Sequence, residues 1–65
     1  MELEWIAYSK DKKDLVFVYA ESQKEAVVKA MDRGIKPSQS SDIRPRMGDT
    51  ELMSTEEFKE FMEST

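Results

Sequence analysis

The chain has no cysteine and no histidine, only two glycines and two prolines among 65 residues, and no apolar run longer than six. Each absence removes a class of function. Without cysteine there is neither a disulfide framework nor a thiolate zinc site, and the lack of any covalent staple fits a reducing, cytoplasmic setting. Without histidine, the usual neutral-pH general base and the commonest metal ligand are both missing. No Gly-rich phosphate loop, nucleophile elbow or metal-ligand spacing occurs. The remaining reactive groups are carboxylates, lysines, tyrosines and hydroxyls, and a chain this short has little volume for a ligand pocket. The sequence therefore reads as a non-enzyme with no cofactor and no metal.

The longest apolar run is the six-residue "LVFVYA", far short of the ~20 residues that cross a bilayer. No basic segment followed by an apolar one opens the chain. The expectation is a soluble, unprocessed cytoplasmic protein with no membrane role. Its length suits one domain, residues 1–65, with room for one hydrophobic core.

Net charge is −4, which opposes general attraction to nucleic acid or anionic lipid. The charge is uneven: from Met47 onward there are six acids (Asp49, Glu51, Glu56, Glu57, Glu60, Glu63) against the single base Lys59. The acidity sits in the C-terminal third.

"LEWIAYS" has strand character, and the charged "KDKKD" separates it from "LVFVYA", giving a β-hairpin. With no Gly or Asn to form a tight primed turn, a loop of about four or five residues is expected. The period then changes. Ala26, Val27, Ala30 and Met31 form a helical stripe, and Ser22 with Glu25 has the spacing of a capping box, so a helix from Gln23 to Arg33 follows. Gly34 can take the left-handed position after its end, Ile35 can fold back on the last turn, and Pro37 prevents continuation.

"SQSS" is a polar loop. "DIRPRM" alternates as a strand with one wet face, and Pro45 places it at a sheet edge. After the turn "GDTE", Ser54 and Glu57 make a second capping box, Met53 and Phe58 have hydrophobic-staple spacing, and Phe58, Phe61 and Met62 form the apolar stripe of a second helix. The fold class is α+β: a small ββαβα domain whose three-stranded sheet, antiparallel or mixed, has the order 2-1-3 and packs with two helices. The "ESQKEA" junction resembles, over those six residues, the strand-to-helix junction in the ββα arm-binding domains of tyrosine recombinases, which read nucleic acid. Many unrelated ββα units share that pattern, and the basic sheet of those domains is lacking here.

"LVFVYA" poses the main question. Leu15, Phe17 and Tyr19 project to one face, Val16, Val18 and Ala20 to the other, and on the first strand Trp5 and Ala7 oppose Ile6 and Tyr8. Both faces are apolar, whereas one helix covers only one. The C-terminal helix, a second copy of the chain, or a different protein must cover the other. The simplest expectation is the C-terminal helix.

Four features bear on function. Glu56, Glu57, Glu60 and Glu63 form an acidic helix surface that can steer toward a basic partner, or simply a solvated face. Arg44 and Arg46 flank Pro45 as a fork for phosphate or carboxylate, or as charges guarding an edge strand. Lys12 and Lys13, with Lys10, lie at the hairpin tip, where Asp11 and Asp14 offset them. Trp5, Tyr8 and Tyr19, with Phe17, suit core or interface packing better than base stacking.

The resulting functional expectation is a small accessory or inhibitory, regulatory protein-interaction module. It would bind another protein, a nucleic-acid-binding one included, through an apolar sheet face (Trp5, Tyr8, Phe17, Tyr19) and the acidic helix (Glu56, Glu57, Glu60, Glu63). Compact acidic proteins of this kind fit phage and mobile-element settings. One alternative is a nucleic-acid-binding module using Lys12, Lys13, Arg44 and Arg46. The other is a structural homo-oligomer, with a homodimer its simplest form.

Overall fold

The computed structural model describes residues 1–64. The elements are β1 (Leu3–Tyr8), β2 (Leu15–Ala20), α1 (Gln23–Asp32), β3 (Ile43–Pro45) and α2 (Thr55–Glu63), with one 3-10 turn at Ser40–Asp42. The sheet order is β2-β1-β3, with β1 antiparallel to both neighbours. The domain is α+β with the expected strand order.

The hairpin loop closes with the Ser9 N–H donating to the Asp14 carbonyl at 2.9 Å. Lys12, not a glycine, takes the left-handed backbone position there, at φ 64°. Asp11 holds the loop together, its carboxylate accepting from the Ser9 hydroxyl at 2.6 Å and from the Lys13 N–H at 3.0 Å. Those two donors hold the Asp11 carboxyl below its ordinary pKa, the Ser9 hydroxyl contributing most.

Helix α1 begins at Ser22, whose hydroxyl accepts the Glu25 N–H at 3.3 Å. The Glu25 carboxylate turns instead to Lys29, at 3.1 Å. At the other end Gly34 has φ 87°, and the N–H groups of Gly34 and Ile35 donate to the Met31 and Ala30 carbonyls, each at 3.0 Å. This is the Schellman arrangement, with Ile35 folded back onto the core.

One core gathers Trp5, Ala7, Val18, Ala20, Ala26, Val27, Ala30, Ile35, Ile43 and Phe58. The strand residues in it all belong to one sheet face, since the register sets Trp5 opposite Val18 and Pro45, and Ala7 opposite Ile43. Alanines on both partners, Ala7 and Ala20 on the sheet and Ala26 and Ala30 on α1, let the helix backbone approach closely. Helix α2 joins the same side, with Phe58 buried in the core and Phe61, Met62 and Met53 packed against it.

Three expectations are corrected. First, α2 does not cover the second face of the sheet; both helices lie on the same face, leaving Leu15, Phe17 and Tyr19 exposed on the other, where the segment from Gly48 to Leu52 flanks Ile6. Second, Trp5 is wholly buried, and its indole N–H donates to the Ala20 carbonyl at 3.0 Å, so it belongs to the core and not to an open surface. Third, the third strand is Ile43–Pro45 rather than the whole of residues 42–47. Asp42 is withdrawn into the 3-10 turn with its side chain 2% exposed, while Met47 is exposed.

Candidate functional site

The bare face is the most unusual surface of the molecule. Strand alternation places Leu15, Phe17 and Tyr19 of β2 beside Tyr8, Ile6 and Glu4 of β1 respectively, and Arg44 of β3 beside Ile6. Leu15, Phe17 and Tyr19 are exposed at 47%, 43% and 58%, while Ile6 and Tyr8 are partly buried. Ile6 and Leu15 thus join Tyr8, Phe17 and Tyr19 on a surface from which Trp5 is absent. The alternation in "LEWIAY" and "LVFVYA" carries that signal, because it separates Trp5 from Ile6 and Tyr8.

Arg46 straps this face. Its guanidinium donates to the Glu4 carboxylate at 3.0 Å and lies 5.3 Å from the centre of the Phe17 ring. The side chain therefore reaches from the β3 side across β1 to β2. It supplies a cation–π contact to Phe17, and its charge is already matched by Glu4.

Of the four cations of the nucleic-acid alternative, Arg44 and Arg46 line one concavity beside Ile6, while Lys12 and Lys13 lie in the hairpin loop. Lys12 is paired with Asp42 and Arg46 with Glu4. Arg44 stands beside Ile6. Lys13 lies in the hairpin loop beyond the Tyr8–Leu15 pair, at the opposite end of β1 from Glu4 and its partner Arg46.

Glu56, Glu57, Glu60 and Glu63 are all exposed. Glu56, Glu60 and Glu63 follow the i, i+4, i+7 spacing of one stripe, opposite the stripe of Phe58, Phe61 and Met62 that meets the core. Among the described residues no cation lies within ion-pairing distance of any of the four. The acidic stripe and the bare sheet face occupy opposite layers of the domain, so they do not merge into one patch.

Two buried polar side chains had no distinguishing signal in the sequence. Gln23, at the start of α1, donates through its amide nitrogen to Ser40 Oγ and O, each at 3.0 Å, and to the Ile43 carbonyl at 3.1 Å. Its oxygen accepts the Met53 N–H at 2.7 Å. Asp42 accepts from the Ser38 N–H at 3.1 Å and hydroxyl at 2.8 Å, and from the Lys12 ammonium. Both are fully engaged within the fold and serve structure.

The concavity between Lys36–Gln39 and α2 has a volume of about 530 Å³ and is lined by Pro37, Phe58 and Met62 with Lys59 and Glu63 at its rim. No group of three or more Asp or Glu residues able to hold a metal ion occurs among the described residues, and no helix there is long and apolar enough to cross a membrane. No protein-family model matches the chain, nor does any curated protein or solved structure.

Proposed function

We propose that this protein is a non-enzymatic interaction module, accessory or inhibitory in role, that docks another protein on the bare face of its sheet. The observation that carries this reading is the placement of both helices on one side, which leaves Leu15, Phe17 and Tyr19 uncovered beside Ile6 and Tyr8. Contiguous exposed apolar surface rimmed by polar groups is characteristic of interaction sites. Aromatic anchors such as Phe17, which lies against the Arg46 guanidinium, and Tyr19 supply affinity at small cost in conformational freedom. The acidic stripe of α2 lies on the opposite layer, so it steers approach to a basic partner through its long-range field and does not share the anchoring contact.

The nucleic-acid alternative loses two of its four cations to carboxylates of the chain itself. A phosphate-binding surface needs its cations free and adjacent.

The test compares wild type, Phe17→Asp and the quadruple change of Glu56, Glu57, Glu60 and Glu63 to Gln as immobilised baits. Each is first shown to be folded by its near-ultraviolet Trp5 signal. Phe17→Asp is expected to lose bound proteins, while the quadruple variant slows association and flattens its salt dependence. A folded Phe17→Asp variant that retains the same proteins overturns the proposal.

A further inference from the structure

The two edges of the sheet are built differently. The β3 edge is three residues long and carries Pro45, devices that prevent a further strand from adding. The β2 edge is six residues long, pairs with β1 without a bulge, and contains no charge and no proline between Leu15 and Ala20. An unprotected edge of that length templates strand addition.

The backbone groups facing outward along this edge can be assigned. The Glu4 carbonyl accepts the Arg46 N–H from the β3 side, at 2.8 Å, and in an antiparallel strand the N–H and C=O of one residue point the same way. Glu4 and its partner Tyr19 are therefore a non-hydrogen-bonded pair, and the Tyr19 groups turn to the free edge. The Lys29 ammonium meets the Tyr19 carbonyl there, at 2.6 Å. At the hairpin end, the Ser9 to Asp14 bond makes that pair hydrogen-bonded, so Leu15 also turns outward. Leu15, Phe17 and Tyr19 thus present three N–H and three C=O groups to the free edge. A groove of about 370 Å³ lies alongside, lined by Phe17, Val18, Tyr19, Lys29, Asp32 and Arg33.

We propose that the β2 edge pairs with the β2 edge of a second copy of this chain, antiparallel and centred on Phe17, to make a continuous six-stranded sheet. A two-fold axis normal to the sheet keeps outer faces together, so only residues of like parity can oppose one another. Centring on Phe17 sets Leu15 opposite Tyr19 of the partner subunit and Val16 opposite the partner's Val18. Leu15 to Tyr19 then meet only apolar partners, while Ala20 falls opposite the partner's Asp14 at the strand end. Just beyond the strands, Lys13 then meets the partner's Glu21, twice in the dimer.

The neighbouring like-parity registers lose that match. Centring on Val16 sets Glu21 against Asp11, and centring on Val18 sets Leu15 against Glu21. Charge therefore selects the Phe17-centred register. Lys29 caps one of the three acceptors on each edge, and the second lone pair of the Tyr19 carbonyl stays available to the partner's Leu15 N–H. The dimer leaves the outer face of each sheet uncovered and joins the two faces side by side. It stands independently of the proposed partner docking, and its test uses the purified chain alone.

The experiment is sedimentation and light scattering across a concentration series, followed by single-cysteine cross-linking, for which the chain's lack of cysteine gives a silent background. Wild type is expected to reach dimer mass as concentration rises. Phe17→Cys is expected to form a disulfide dimer under mild oxidation, because the two positions face each other across the axis at about 5.5 Å between Cα atoms. Leu15→Cys, whose copies lie about four residues apart along the pair, is expected not to. Glu21→Lys should weaken the dimer about tenfold, and adding Lys13→Glu should restore it. A wild-type monomer at millimolar concentration overturns the proposal. So does cross-linking of Leu15→Cys as readily as Phe17→Cys, or a dimer indifferent to the charge changes.

Discussion

The Gln23 side chain and the Met53 backbone are joined by a 2.7 Å hydrogen bond that links the start of the first helix to the approach of the second. The amide nitrogen of the same side chain is bound to Ser40 and Ile43. One uncharged side chain therefore ties α1, the 3-10 turn, β3 and the segment leading into α2.

Removing it leaves several partly or fully buried groups without partners. Gln23→Ala should lower the unfolding free energy by about 2–3 kcal/mol in urea denaturation. Gln23→Glu keeps the shape but turns a carboxylate toward the Ser40 and Ile43 oxygens; it should be at least as damaging at neutral pH and recover partly as pH falls. Wild-type stability in Gln23→Ala would mean that water replaces these bonds without cost.

Asp42 poses a related test with a charge. Its carboxylate is buried beneath Ser38 and the Lys12 ammonium, and the Lys12 side chain is half exposed. Asp42→Ala strips three donors of their acceptor and should cost about 2–4 kcal/mol. Lys12→Met, removing the more solvated partner, should cost about 1 kcal/mol. A double-mutant cycle by thermal melting measures the coupling, and a null coupling would show that Ser38 alone accounts for the role of Asp42.

Helix α2 carries Glu60 and Glu63 toward its negative pole, with no basic residue in its last turn. Glu63→Lys should therefore stabilise the fold by about 0.5–1 kcal/mol at low ionic strength, with the gain shrinking as salt is added. The same change should slow association if the acidic stripe steers a basic partner. A loss of stability would show that Glu63 has a favourable role within the fold.

The hairpin turn should respond to acid. Asp11 has a folded-state pKa below its ordinary value because the Ser9 hydroxyl and then the Lys13 N–H bind its charged form. Its contribution to stability is therefore whole above the unfolded pKa, near pH 3.9, and is lost as pH falls through the lower folded value. The Lys13 amide resonance should report that titration, and Asp11→Asn should abolish it. A midpoint at or above the ordinary aspartate value would remove the hydrogen-bonding explanation.

Much of the architecture was legible because local rules govern it. Ser22 and Gly34 bracket α1, Pro45 marks an edge, and alternation separates Trp5 from Ile6. The side taken by α2 was not legible, because both faces of β1 and β2 are apolar and periodicity does not rank them. The alanines held a usable clue: Ala7 and Ala20 share one sheet face, and small residues there favour close helix approach. Gln23 and Asp42 were unreadable for another reason. Their bonding partners lie as far away as Met53 and Lys12 in sequence, and nothing about a glutamine in a first helical turn indicates that it will be buried.

Strand β1 is the first element of the chain yet the middle strand of the sheet. Its pairing with β2 closes a short loop, whereas pairing Trp5 with Pro45 and Ala7 with Ile43 must await a much larger closure. Folding therefore has a preferred order, with the hairpin and α1 forming an early unit that β3 and α2 complete late. Substitutions at Val18 or Ala26 should slow folding, and those at Ile43 or Phe58 should mainly hasten unfolding, in stopped-flow chevrons; the reverse pattern would refute the order. During synthesis β1 emerges before β3 and waits with one side unpaired until residues 43–45 follow. The nascent chain is then at its most adhesive along the strand that the finished protein hides best.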